Sequence, residues 1–250
     1  MSSPTEVRLS RHRVQLVLHL LQRGALSSVP LLRLHALGGR AVEPGPCGTE
    51  PWPGPVWGLD FTGHGASSRP VGGGYSPELL MADADAALGH LGPVVVAGWG
   101  LGAYVGLLLA GARPALVRGL VLAEGAGLAG AATDASVPGV LAYPPPPLPL
   151  DAVAAGADPT ADPYAWAELQ RDPRPAAYAL GYLRRAAGQA DRAGGPIAVV
   201  AVGGGPQPAW LSAVEAEPSV LGRDRLHVVG DSSGPLRVAA GLALMAATAR

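Results

Sequence analysis

The chain has 250 residues, 48% of them hydrophobic, enough for one large α/β domain or two small ones and for a sizeable buried core. Its formal net charge is -1, and the charges are scattered singly, so there is no basic footprint for nucleic acid and no acidic tail. The single cysteine, Cys47, excludes an internal disulfide and any multi-thiolate metal site, and a reducing, cytoplasmic setting is the simpler expectation.

The first elements read as strands. "EVRLS" and "VQLVLHLL" alternate well enough to form an N-terminal hairpin, with Val14, Leu16, Leu18 and Leu20 on one face. Arg8, Arg11 and Arg13 precede the second run, but Gln15 and His19 interrupt it and Glu6 sits in the would-be basic region, so a hairpin fits better than a signal peptide. Nowhere does the chain reach the roughly 18 uninterrupted apolar residues of a membrane span. "VPLLRLHALGG" predicts a third strand ending in a glycine loop, and "PVWGLDFTGHGASS" a fourth closing in a turn. "SPELLMADADAALGHLG" predicts a helix with Ser76 as N-cap and Pro77 at its first position. "PVVVAG" then predicts a buried strand, "GAYVGLLLAGA" its helix and "VRGLVLAEG" the next strand.

From about Gly125 to Gly195 the pattern changes to turns, the proline run Pro144 to Pro147, three Asp-Pro steps and short helical pieces such as "PRPAAYALGYLRRAAG". This is expected to be an insertion, with the prolines as a stiff linker into a lid rather than a polyproline ligand. Alternation resumes with "PIAVVAVGG", "DRLHVVG" and a C-terminal helix "PLRVAAGLALMAATA". The whole predicts an α/β fold: a mostly parallel twisted sheet of about eight strands with helices on both faces. Residues 1–125 and 196–250 are expected to form its core, and 126–195 a cap after the sixth strand.

Four features fall in a fixed order. "HALGG", His35 to Gly39, follows the third strand; "DFTGHGASS", from Asp60, follows the fourth; "GWGLG", from Gly98, follows the fifth; the insertion follows the sixth. In that order and spacing they resemble the α/β-hydrolase family, over nearly the whole chain, in its cap-bearing esterase and lipase-like branch. The resemblance implies an oxyanion loop at His35 to Gly39, a D-x-x-G-x-G-x-S turn from Asp60, and the G-x-S-x-G nucleophile elbow around position 100. The family's chemistry needs a nucleophile at the elbow, an acid after the seventh strand and a histidine after the eighth. Here those positions hold Gly100, Pro206 and Ser233, or Ser232 in place of the last. Glu124 stands at an alternative acid position, and His227, the nearest imidazole, lies within the final strand.

Glycine has no atom to attack a carbonyl, and losing the serine of such a triad costs about two million-fold in turnover, roughly 8 to 9 kcal/mol of barrier. Ester hydrolysis by the family route is therefore not expected. The oxyanion hole survives side-chain loss, because the resemblance builds it from the backbone N–H groups of Leu101 and Leu37. The expected function is a non-hydrolytic pseudoenzyme that binds a small apolar acyl or carboxylate ligand near His35, Leu37, Trp99, Gly100 and Leu101, or a protein partner. The alternative is an enzyme, a lyase or isomerase, using Asp231 or Glu124 for acid/base work. A third reading takes Gly98, Gly100 and Ala103 as G-x-G-x-x-A with Glu124 as the ribose acid, but a dinucleotide fold would begin with that unit, whereas four strands precede it here. No cofactor and no metal are expected. Cys47 reads as a loop thiol and His64 as structural. Trp99, Tyr143, Trp166, Tyr178, Tyr182 and Trp210 are expected to line an apolar pocket or to be ordinary core.

Overall fold

The computed structural model describes residues 5–44, 52–130, 161–193, 198–203, 208–217 and 226–230. The N-terminal strands β1 (Glu6–Arg11) and β2 (Val14–Gln22) pair antiparallel, and β2 pairs antiparallel with β4 (Val56–Asp60). From there the sheet is parallel: β3 (Leu31–Leu34) lies between β4 and β5 (Val94–Trp99), followed by β6 (Val117–Ala123), β7 (Ala198–Gly203) and β8 (Leu226–Gly230). The result is one eight-stranded mixed sheet in the order β1-β2-β4-β3-β5-β6-β7-β8. Order reverses around β3, since β4 lies on one side of it and β5 on the other; crevices at such points are where open α/β sheets place ligands.

Strand periodicity divides the interior in two. Leu32, Leu34, Val94, Val96, Leu120 and Leu122 face the larger cluster, while their neighbours Leu31, Val95, Ala97, Val121 and Ala123 face the smaller one with Trp52, Val56 and Trp99. Helix α1 (Pro77–Leu91) starts as its sequence predicts: the Ser76 hydroxyl accepts from Leu79 N, and Pro77 opens the first turn. Helix α2 (Leu101–Ala112) is buried along almost its whole length, against β5 and β6 on one side and other helices on the other. The short helix α3 (Pro163–Arg171) and the longer α4 (Ala176–Ala193) lie between β6 and β7 in the chain, and both bury side chains in the larger cluster, through Ala165, Trp166 and Leu169 and through Ala179, Leu183 and Ala186.

The beginning of α3 is also tied down by polar contacts. The Tyr75 hydroxyl donates to Asp162 at 2.6 Å, and Glu168 accepts from the backbone N–H groups of Gly74 and Tyr75. A further helix, α5 (Ala209–Glu215), was not among the predicted elements; "AWLSAVE" is too short for its periodicity to stand out, yet Trp210, Leu211 and Val214 are buried. All five described helices thus bury residues in the larger cluster. The predicted C-terminal helix, Cys47, Tyr143, Pro206, Asp231, Ser232 and Ser233 lie outside the described residues.

Candidate functional site

The C-terminal ends of β3, β5 and β6 lie side by side, because Leu34 pairs with Gly98, Gly98 with Leu122 and Trp99 with Ala123. Three loops therefore meet at one place: His35 to Gly39 after β3, Gly100 after β5, and Glu124 to Gly130 after β6.

Gly100 sits at φ 56° and ψ -124°, a sharp left-handed corner between strand and helix. The glycines beside it are there for space. A Cβ at position 98 would lie 2.2 Å from the Gly102 carbonyl oxygen, and one at position 102 would lie 2.2 Å from the Leu34 carbonyl oxygen. Strand, corner and helix can approach this closely only without side chains at those points. The chain thus passes from strand to helix through a sharp corner to which position 100 contributes no side chain.

The backbone N–H of Leu101 donates to the Ala126 carbonyl oxygen at 2.9 Å, and the N–H of Leu37 donates to the same oxygen at 3.0 Å. The two amides named from the sequence are thus brought together and converge on a single oxygen, at distances that suit stabilisation of an oxyanion. The oxygen in place belongs to the chain itself. A Cβ on Gly100 would lie 2.2 Å from that oxygen, 2.7 Å from the Gly125 carbonyl carbon and 2.9 Å from Ala126 N. The Ala126 carbonyl fills the space that a side chain at position 100 would enter.

Sequence reasoning did not single out Ala126. A signal was present in "EGAGLAG", Glu124 to Gly130, three glycines in seven residues directly after a strand. Gly127 has φ +77°, and a Cβ there would lie 2.7 Å from Leu37 Cβ and 3.1 Å from Leu101 Cβ. The turn seats its carbonyl between those leucines only as glycine.

The other predicted residues fall around this centre rather than at it. His35 is 1% exposed, and both ring nitrogens are engaged: Nδ1–H donates to the Ala36 carbonyl at 2.7 Å and Nε2 accepts from Phe61 N at 3.2 Å. That pairing fixes the neutral tautomer and locks the loop after β3 to the turn after β4. Trp99 lies in the smaller cluster, with the Arg33 guanidinium 5.1 Å from its ring centre. Glu124 is exposed just beyond the end of β6. Trp210 packs edge-on against Tyr104 and donates its Nε1–H to the Leu128 carbonyl at 3.0 Å, which anchors the far end of the glycine turn. Trp166 is buried in the larger cluster, and Tyr178 and Tyr182 pair at the surface through their hydroxyls.

The turn from Asp60 is a polar frame. The Asp60 carboxylate accepts from Ala41 N at 2.7 Å, Ala66 N at 2.9 Å and His19 Nε2 at 2.9 Å. Burial alone would raise its pKa, but the hydrogen bonds from His19, Ala41 and Ala66 outweigh that and hold the carboxyl below its ordinary range. The same contact raises the pKa of His19. His64 is wholly buried beside His35, their ring centres 5.0 Å apart, and burial above all pushes its pKa down to about 3. It is a neutral packing group. No cluster of three or more metal-ligating side chains occurs among the described residues, and no described helix is long and apolar enough to cross a membrane.

Comparison with known proteins agrees with this fold. Among solved structures, the chain is similar to a putative aryl esterase from Burkholderia cenocepacia (15% identity, TM-score 0.65, covering 97% of this chain and 99% of that one). It is similar as well to a hydrolase from Pseudomonas aeruginosa (19%, 0.64, 98% and 97%) and to a thioesterase domain from the curacin biosynthetic pathway (18%, 0.59, 97% of each). These likenesses are of fold. No curated protein gives a significant match. The family model described as the alpha/beta hydrolase family matches residues 25–248, from just before β3 to the end of the chain, and the chain belongs to that family.

Proposed function

We propose that this protein is a non-hydrolytic member of its family, which uses the surviving pair of oxyanion-hole amides to hold the carbonyl or carboxylate end of a small apolar ligand. The observation that carries this reading is the convergence of Leu37 N–H and Leu101 N–H on one oxygen beside a side-chain-free Gly100. Donors without a nucleophile bind and do not cleave. In this reading Pro206 and Ser233 stand in the acid and histidine positions, and neither supplies the proton acceptor that a serine would need. His35, with both ring nitrogens engaged, does not replace them.

Residues 1–125 and 196–250 act as the core and 126–195 as the insertion bounding the site, with Ala126 its first residue. The single cysteine fits a cytoplasmic setting. The test is a titration with a series of straight-chain carboxylates, read by the amide resonances of Leu37 and Leu101. Saturable shifts of both that strengthen with chain length are expected, and the absence of any shift across the series would remove the ligand reading in favour of a protein partner.

A further inference from the structure

We infer that the turn Gly125–Gly127 is a built-in competitor of the ligand: its Ala126 carbonyl closes the amide pair in the free protein and must withdraw before another oxygen can bind. The inference rests on the reading of that pair as the ligand's anchor. Three observations carry it. The two donors that would receive the ligand are both spent on Ala126, at 2.9 and 3.0 Å. The seat exists only because glycines stand at 100 and 127, since a Cβ at either would strike the turn or the leucines beneath it. Glu124, Gly125 and Ala126 are exposed.

The moving piece is short and its ends are fixed. On one side the Ala123 carbonyl accepts from Gly100 N at 2.9 Å at the end of β6. On the other, Leu128 is buried and its carbonyl accepts from Trp210. Between them Leu128 N–H donates to the Gly125 carbonyl at a long 3.3 Å. Opening breaks the two hydrogen bonds that Leu37 and Leu101 donate to Ala126 and the long one within the turn. Affinity for an external ligand falls by the fraction of molecules in which the turn is open.

The occlusion also accounts for Gly100 as a requirement rather than a loss. Any larger residue at the elbow is incompatible with the closed turn.

The test uses hexanoate as probe and compares the full-length protein with Gly127→Ala, which cannot seat the turn, and Gly100→Ala, which expels it from below. Circular dichroism establishes that each variant is folded, and either one suffices. Hydrogen exchange at the Leu37 and Leu101 amides should accelerate together in the variant, and hexanoate should bind at least about five-fold more tightly than to the unmodified protein. In the unmodified protein, hexanoate should shift the Ala126 resonances along with those of the two amides. Equal hexanoate affinity in variant and parent, with the amides opened, would overturn the competitor while leaving the ligand reading intact. Opened amides that bind no hexanoate at all would overturn both.

Discussion

Introducing a serine at position 100 is the most informative single change, because the structure says what stands in its way. The new Cβ would lie 2.2 Å from the Ala126 carbonyl oxygen, so the glycine turn must leave its seat. Two neutral hydrogen bonds are then exchanged for solvent, about 1 to 3 kcal/mol together. A non-glycine residue at φ 56° and ψ -124° adds about 1 to 2 kcal/mol of backbone strain. The sum is about 3 kcal/mol, which for a chain of this size lowers the melting temperature by about 6 to 12 °C. Gly100→Ser should thus be less stable, read by thermal denaturation, and should still cleave p-nitrophenyl butyrate at no more than about a thousand-fold over water, the residual that oxyanion donors and binding supply. Adding Pro206→Asp and Ser233→His should raise the rate above that of the single variant. A Gly100→Ser protein that melts with the parent would refute the closed turn, and one that turns over at rates typical of the family would reveal a base that this account lacks.

Three further outcomes follow from the frame around the site. The folded pKa of His64 is about 3 against an ordinary 6.5, so as pH falls below 6.5 the unfolded chain binds the proton first and stability is lost, by up to about 1.4 kcal/mol per unit. Between pH 6 and 4 the denaturant midpoint of the parent should fall more steeply than that of His64→Asn, and identical slopes would contradict a buried neutral imidazole. Asp60→Ala removes the acceptor of two buried hydrogen bonds and one part-buried one and leaves His19 without its carboxylate partner, so chemical denaturation should show a loss of about 3 kcal/mol or more, and a loss under 1 kcal/mol would contradict that frame. NAD, NADP and FAD should give no saturable thermal shift, although a true ligand at a hundred times its dissociation constant would add about 2.7 kcal/mol.

The fold was legible in the sequence because its signals are strong and local. The β5 run "VVV" is buried on both faces, Ser76 and Pro77 announce α1 by capping chemistry, and the glycines at 98, 100 and 102 mark where backbones touch. The elbow and the partnership of Leu37 with Leu101 came from the order of the motifs, and the convergence of those two amides agrees with it. Helix α5 escaped because seven residues span barely two turns, too few for a period to emerge. The Ala126 carbonyl was invisible for a different reason. A backbone oxygen leaves no mark in residue identity, and only the spacing of Gly125, Gly127 and Gly130 hinted that the chain after β6 needed unusual freedom. Period-two alternation along β5 accounts for the place of Trp99 with Val95 and Ala97 in the smaller cluster.

The central claim is that this site holds donors without a nucleophile. Incubating the purified protein with a serine-directed fluorophosphonate and weighing it intact by mass spectrometry tests that claim most directly. An unchanged mass is expected, together with background cleavage of short acyl esters; a stoichiometric adduct on any serine would show that a nucleophile is present.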